Sequence, residues 1–72
     1  MSEIDKLRQV VDALGGRRAV GELLGVTHVA MHYWLTGKEQ LPTTRALKLA
    51  QMSATTDTPV SVYDLRPDLR VL

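Results

Sequence analysis

The stretch RRAVGELLGVTHVAMHYWL, residues 17–35, decides how this chain folds. It holds two short apolar patterns separated by Gly25-Val26-Thr27. In the first, Ala19, Val20, Leu23 and Leu24 recur at helical spacing and are expected to share one face. Gly25 then stops that helix, because a residue without Cβ turns the chain through positive φ at little cost. Thr27 is of the type that caps a new helix, and HVAMHYWL follows, ending around Thr36-Gly37. Two helices joined by so short a turn touch near the joint, and Gly21, one turn before Gly25, is small enough for that contact. Val26 and Met31 are expected to plug the angle between the helices, with Leu24 and Trp34 filling the core behind. Each demand is common alone. Together, at this spacing, they specify a helix-turn-helix layout over residues 17–36.

Outward from this pair, Ile4, Leu7, Val10, Val11 and Leu14 predict an amphipathic first helix. Ser2 is its expected N-cap, Glu3 and Asp5 suit its positive end, and Gly15-Gly16 stops it. Downstream, Pro42 marks a helix start, and TTRALKLAQM offers the apolar face Ala46, Leu47, Leu49 and Ala50. SATTDTP is polar and contains a proline, so it is expected to be a loop. Residues 60–66 leave helix and strand both open. Val60 and Val62 alternate as in a strand, yet Ser61 and Asp64 have the spacing of a capping box for one short turn. Pro67 excludes a long element there. The expected fold is all-α, with four or five helices in one domain spanning residues 1–72.

With 72 residues and no cysteine, the chain must rely on helix packing, without disulfides or thiolate zinc sites. No segment approaches the roughly 20 apolar residues that span a bilayer. The N-terminus has no apolar signal core, so the expected location is the cytoplasm. A net charge of +1 means that any nucleic-acid binding must come from a local patch.

His28 and His32, the only two histidines, lie four residues apart, so a helix places both on one face. Such a pair can hold zinc, but the metalloprotease form has glutamate directly after the first histidine, and here Val29 stands there. A third ligand would have to come from a distant carboxylate, so no metal is expected. No nucleophile–base pairing and no phosphate-cradling glycine loop is apparent, so neither catalysis nor a cofactor is expected.

From Gly15 to Gly37 the chain resembles the phage Cro and repressor class of helix-turn-helix proteins. The order LGG-R-A-V…LGVT-x-x-A-M-x-x-W is similar in particular to the small Cro-like antitoxin group called YdaS. The ending YDLRPDL, Tyr63 to Leu69, resembles that group's finish after the last helix. The resemblance covers nearly all of the chain beyond the first helix. It implies a lambda-repressor-like, sequence-specific DNA-binding domain that represses transcription, of phage or prophage origin. Gly21 stands where the group usually has alanine, and SATTDTP replaces its usual short glycine-containing connection.

In such a motif the N-terminal end of the second helix enters the major groove. Met31 and Trp34 must face inward, which leaves Thr27, His28, Val29, His32 and Tyr33 on the outer side. His28, Val29, His32 and Tyr33 are the expected base readers: imidazole donates to guanine N7 or O6, and valine packs on a thymine methyl. Thr27 suits a cap and phosphate contact. Arg17, at the position from which the motif usually clamps the backbone, is favoured over Arg18, and Lys38 in the following loop is a further backbone candidate. From Gly15 to Lys38 these three cations stand against Glu22 alone, a net of +2. So small a patch holds few phosphates, and one short helix reads few base pairs. A homodimer on an inverted-repeat operator supplies both deficits. The tail, residues 59–72, is its expected contact, through Val60, Val62, Leu65, Leu69, Val71 and Leu72; the alternative for Val62 and Leu65 is that they cap the monomer's own core. The rival expectation is an antitoxin-type protein-interaction module that neutralises a partner, with DNA binding secondary.

Overall fold

A computed structural model describes residues 3–70; the expected Ser2 cap and the expected contacts of Val71 and Leu72 lie outside them. Five α-helices follow one another: α1 (Glu3–Ala13), α2 (Arg17–Leu24), α3 (His28–Thr36), α4 (Thr43–Ser53) and α5 (Val62–Leu65). A 3-10 turn, Pro67–Arg70, closes the described chain. No strand occurs among the described residues, so the all-helical expectation holds. The Cα radius of gyration, 11.0 Å, is close to the roughly 11 Å of a compact chain of this length.

Helix α1 is the hub, touching α2, α3, α4 and α5. Its stripe Leu7, Val10 and Val11 is buried, with Leu14 packed beside it. Around it close Val20 and Leu24 of α2, Met31, Trp34 and Leu35 of α3, Leu41, Ala46 and Leu49 at α4, and Leu65 of α5. Emptying one large position in such a core costs about 2–5 kcal/mol. That is a large share of the roughly 5–15 kcal/mol that holds an ordinary domain together.

Two expected core positions are not in the core. Leu23 is 58% exposed and Leu47 is 46% exposed. In α2 the buried side chains are Val20 and Leu24, one turn apart, and Leu23 projects to the edge of that line. In α4 the buried line is Ala46, Leu49 and Ser53, with Leu47 turned away from it. Ser53, expected in the loop, is instead the last residue of α4 and fully buried. Its hydroxyl donates to the Ala50 carbonyl at 2.8 Å and accepts the Val60 N–H at 3.0 Å. The backbone of Val60 is thus taken up by a side chain rather than by a neighbouring strand.

The open question at residues 60–66 is settled in favour of a helix. The Ser61 N–H donates to Asp64 Oδ2 at 2.9 Å, and the Asp64 N–H returns to Ser61 Oγ at 3.3 Å. This reciprocal capping box starts α5, which turns Leu65 into the core. Val60 and Val62 are partly buried against the same core. Of the apolar tail residues expected at a dimer contact, these three are therefore occupied within the monomer.

After α5, Arg66 locks the tail to the start of α4. Its guanidinium grips Asp68 in a two-pronged fork, Nε to Oδ1 at 3.0 Å and Nη2 to Oδ2 at 2.7 Å. Nη1 reaches the Leu41 carbonyl at 2.9 Å and Thr43 Oγ1 at 3.1 Å. Gln40 adds a bond to Asp68 Oδ1 at 3.3 Å. The hydrogen bonds from Arg66 hold the Asp68 carboxyl below the usual carboxylate range.

A carboxylate with a lowered folded pKa adds stability that is complete above its unfolded pKa and lost as pH falls through the folded one. The melting temperature should therefore fall on acidification below the usual carboxylate range, and Asp68→Asn should flatten part of that slope. Equal acid slopes for the two proteins would show that the fork does not contribute. At the α2–α3 joint, a Cβ on Gly21 would sit 3.6 Å from the Val26 carbonyl, an ordinary contact. Gly21→Ala should thus stabilise the fold by up to about 1 kcal/mol through helix propensity. Gly37 has φ of +79°, and a Cβ there would meet Ile4 Cδ1 at 2.6 Å. Gly37→Ala should destabilise by about 1–2 kcal/mol, which denaturant titration of both variants would measure.

Candidate nucleic-acid interface

The pair α2–α3 is joined by three residues, Gly25, Val26 and Thr27. Gly25 adopts the left-handed conformation at φ 68°, ψ 34°, and the Val26 N–H reaches back to the Gly21 carbonyl at 3.0 Å. Thr27 then caps α3, its Oγ1 accepting the Ala30 N–H at 3.1 Å. The hydroxyl proton of Thr27 is not used by this cap and can still donate to an external oxygen.

Both ends of α3 are fixed, and its inner side is buried through Met31, Trp34 and Leu35. Val26 packs partly against the core, as expected for the plug between the helices. Thr27, His28, Val29 and His32 are exposed, the apolar Val29 at 55%. Tyr33 is only half-buried, and it is not free-standing. Lys38 Nζ lies over its ring, 4.6 Å from the centroid, and the His32 ring is tilted against it at 6.2 Å. The cation–π contact of an exposed lysine is worth about 0.5–1 kcal/mol. It gathers His32, Tyr33 and Lys38 into one cluster at the C-terminal half of the outer face.

Arg17 and Arg18 open α2 as expected, and both are exposed. They differ in company. Arg18 Nε lies 3.9 Å from Glu22 Oε1 one turn on, whereas Arg17 has no such partner among the described residues. Arg17, Arg18, Gly21, Glu22, Gly25, Val26, His28 and Met31 line a shallow groove along the α2–α3 joint. This groove brings Arg17 and His28 to one surface. The cluster around Tyr33 lies further along α3, so the candidate residues form a band rather than a pocket. Among the described residues no three potential ligand side chains converge on a metal position.

Residues 7–71 match a family model described as bacterial toxin YdaS. The chain belongs to the YdaS family. The match takes in every helix from within α1 to the closing turn, including the fork of Arg66 and Asp68. The resemblance noted in the sequence is thereby supported at the level of this group. The family description speaks of a toxin, whereas the resemblance pointed to an antitoxin group. No curated protein and no solved structure shows significant similarity to the chain. Among the described residues no helix is long and apolar enough to cross a membrane.

Arg8 escaped the sequence reading, because in α1 it looks like any solvated charge between apolar positions. It lies with Arg17 at a second hollow, described below. For Thr27, replacement by alanine should cost about 0.5–2 kcal/mol through the lost cap, and Thr27→Ser should restore it. Thermal melts of the two variants measure this without reference to any ligand.

Proposed function

We propose that this YdaS-family chain is a sequence-specific, double-stranded-DNA-binding regulator of the lambda-repressor-like helix-turn-helix type, with α3 as its recognition helix. One observation carries the reading. A nine-residue helix with a buried inner side presents His28, Val29 and His32 to solvent from its first turns, next to Arg17, an exposed arginine on the neighbouring helix with no ion-pair partner among the described residues. An imidazole, a branched methyl group and a guanidinium are suited to a guanine edge, a thymine methyl and a phosphate, respectively. His28, Val29 and His32 read bases, and Tyr33 reaches a base edge or a phosphate. Arg17 and Thr27 position the backbone. Lys38 contacts it after leaving, or while keeping, the Tyr33 ring. Arg18 is secondary, because Glu22 competes for it.

Repression follows from occupancy: a protein bound across an operator excludes polymerase and needs no catalytic group or cofactor. The functional unit is a homodimer on an inverted repeat, with half-sites one helical turn apart, about 34 Å. A second reading rests on the family description, which names a toxin. There the exposed Leu23 and Val29 would meet a partner protein, with DNA binding secondary.

Selection of binding sites from random duplexes tests both readings. It should return an inverted repeat bound by two chains. Arg17→Ala should then weaken binding to all duplexes alike and lower the salt slope by about 1. His28→Ala should relax preference at one base position at a cost of roughly 1–3 kcal/mol. Recovery of no preferred sequence would remove the regulator reading. Growth arrest on expression that persists in an Arg17→Ala/His28→Ala variant would favour the toxin reading in its place.

A further inference from the structure

Arg17 borders two hollows, and only one of them is the groove beside His28. The other lies where α1, the start of α2 and the end of α3 meet, lined by Arg8, Val11, Asp12, Arg17 and Leu35. Val11 and Leu35 form its floor and are almost completely buried, at 1% and 2% exposure. Arg8, Asp12 and Arg17 stand at its rim, and all three are exposed. Two guanidinium groups from different helices therefore share one small concavity. Neither forms an ion pair with a described carboxylate, although Asp12 lies at the same rim.

Two arginines brought together on a fixed scaffold, with no ion-pair partner among the described residues, repel each other, and an anion between them relieves that repulsion. The guanidinium fork matches the oxygens of a phosphate in a planar, two-bond geometry. We infer that Arg8 and Arg17 jointly hold one backbone phosphodiester of the bound duplex, so that the DNA-facing surface extends from α3 past α2 onto α1. The inference rests on the DNA-binding reading above and assigns a further contact within it. Arg17 is the hinge of this surface, with His28 on one side and Arg8 on the other. Asp12 acts against it: its carboxylate faces the same anion and weakens the site.

The test uses the full chain on its selected duplex, with affinity measured between about 50 and 200 mM salt. Each phosphate contact adds about 0.9 to the slope of log affinity against log salt. Because the two arginines hold one phosphate together, Arg8→Ala should lower the slope by about 0.9, and the Arg8→Ala/Arg17→Ala double variant should lower it no further. The affinity loss over that fourfold salt range should be three- to fourfold smaller than in the wild type. The preferred sequence should not change, Arg8→Lys should retain most of the slope, and Asp12→Asn should tighten binding to every duplex. An unchanged slope in Arg8→Ala, beside a lowered slope in Arg17→Ala, would overturn the shared contact and leave the DNA reading standing. A change in base preference in Arg8→Ala would overturn it also, by making Arg8 a reader. If the wild type binds no duplex, the site and the reading on which it rests fall together.

Discussion

The burial of Met31, Trp34 and Leu35 against α1 is the constraint from which the rest of this molecule follows. A helix of nine residues has few turns, and three large inward side chains leave it no rotational freedom. Once they are seated, Thr27, His28, Val29 and His32 have no direction available but outward. The two left-handed glycines, Gly25 and Gly37, end α2 and α3, and Thr27 between them caps the start of α3. The surface chemistry of the protein is thus a by-product of its core packing. A cavity at Met31 would disturb the outer face without touching it.

A second tie closes the chain on itself. The fork between Arg66 and Asp68, with its arms on Leu41 and Thr43, joins the tail to the entry of α4. The core is small, and the chain has neither disulfide nor metal among the described residues to staple it. Polar contacts at the periphery therefore carry work that a larger domain leaves to apolar burial. The YDLRPD sequence supplies this tie in order: Leu65 enters the core, Arg66 spans to α4, and Asp68 holds Arg66 straight.

Local signals in the sequence were enough for most of the fold. Gly25, Thr27 and Gly37 act through their own backbone and neighbours, so their roles could be read without knowing the tertiary structure, whereas the Ser61–Asp64 spacing left helix and strand both open. Periodicity failed at Leu23 and Leu47 because it reports which side of a helix is apolar, not how wide a strip the neighbours cover. Ser53 failed for the opposite reason: a polar residue at a helix end reads as exposed, and only the return of Val60 reveals its partner. The outer face of α3 was legible by elimination once Met31 and Trp34 were placed inward, and Arg17 by its position at the head of α2. The pairing of Lys38 with Tyr33 is local, set by the left-handed Gly37 that brings Lys38 back to the last turn of α3, but no apolar period marks it. The shared hollow of Arg8 and Arg17 depends on how helices meet, and no spacing within one helix encodes it.

The buried Ser53 hydroxyl also bears on how this chain tolerates change in length. By accepting the Val60 N–H directly, it fastens the two ends of the α4–α5 connection at their base. What lies between is a closed excursion, with Ala54, Thr55 and Asp57 in solvent. For such a loop, doubling the length costs only about 0.6 kcal/mol of closure entropy. Residues can be gained or lost at its tip while the clasp below stays shut, so α5 and the tail keep their place. A connection of unusual length and composition here is then a neutral variation, and a ready point at which to graft a foreign segment.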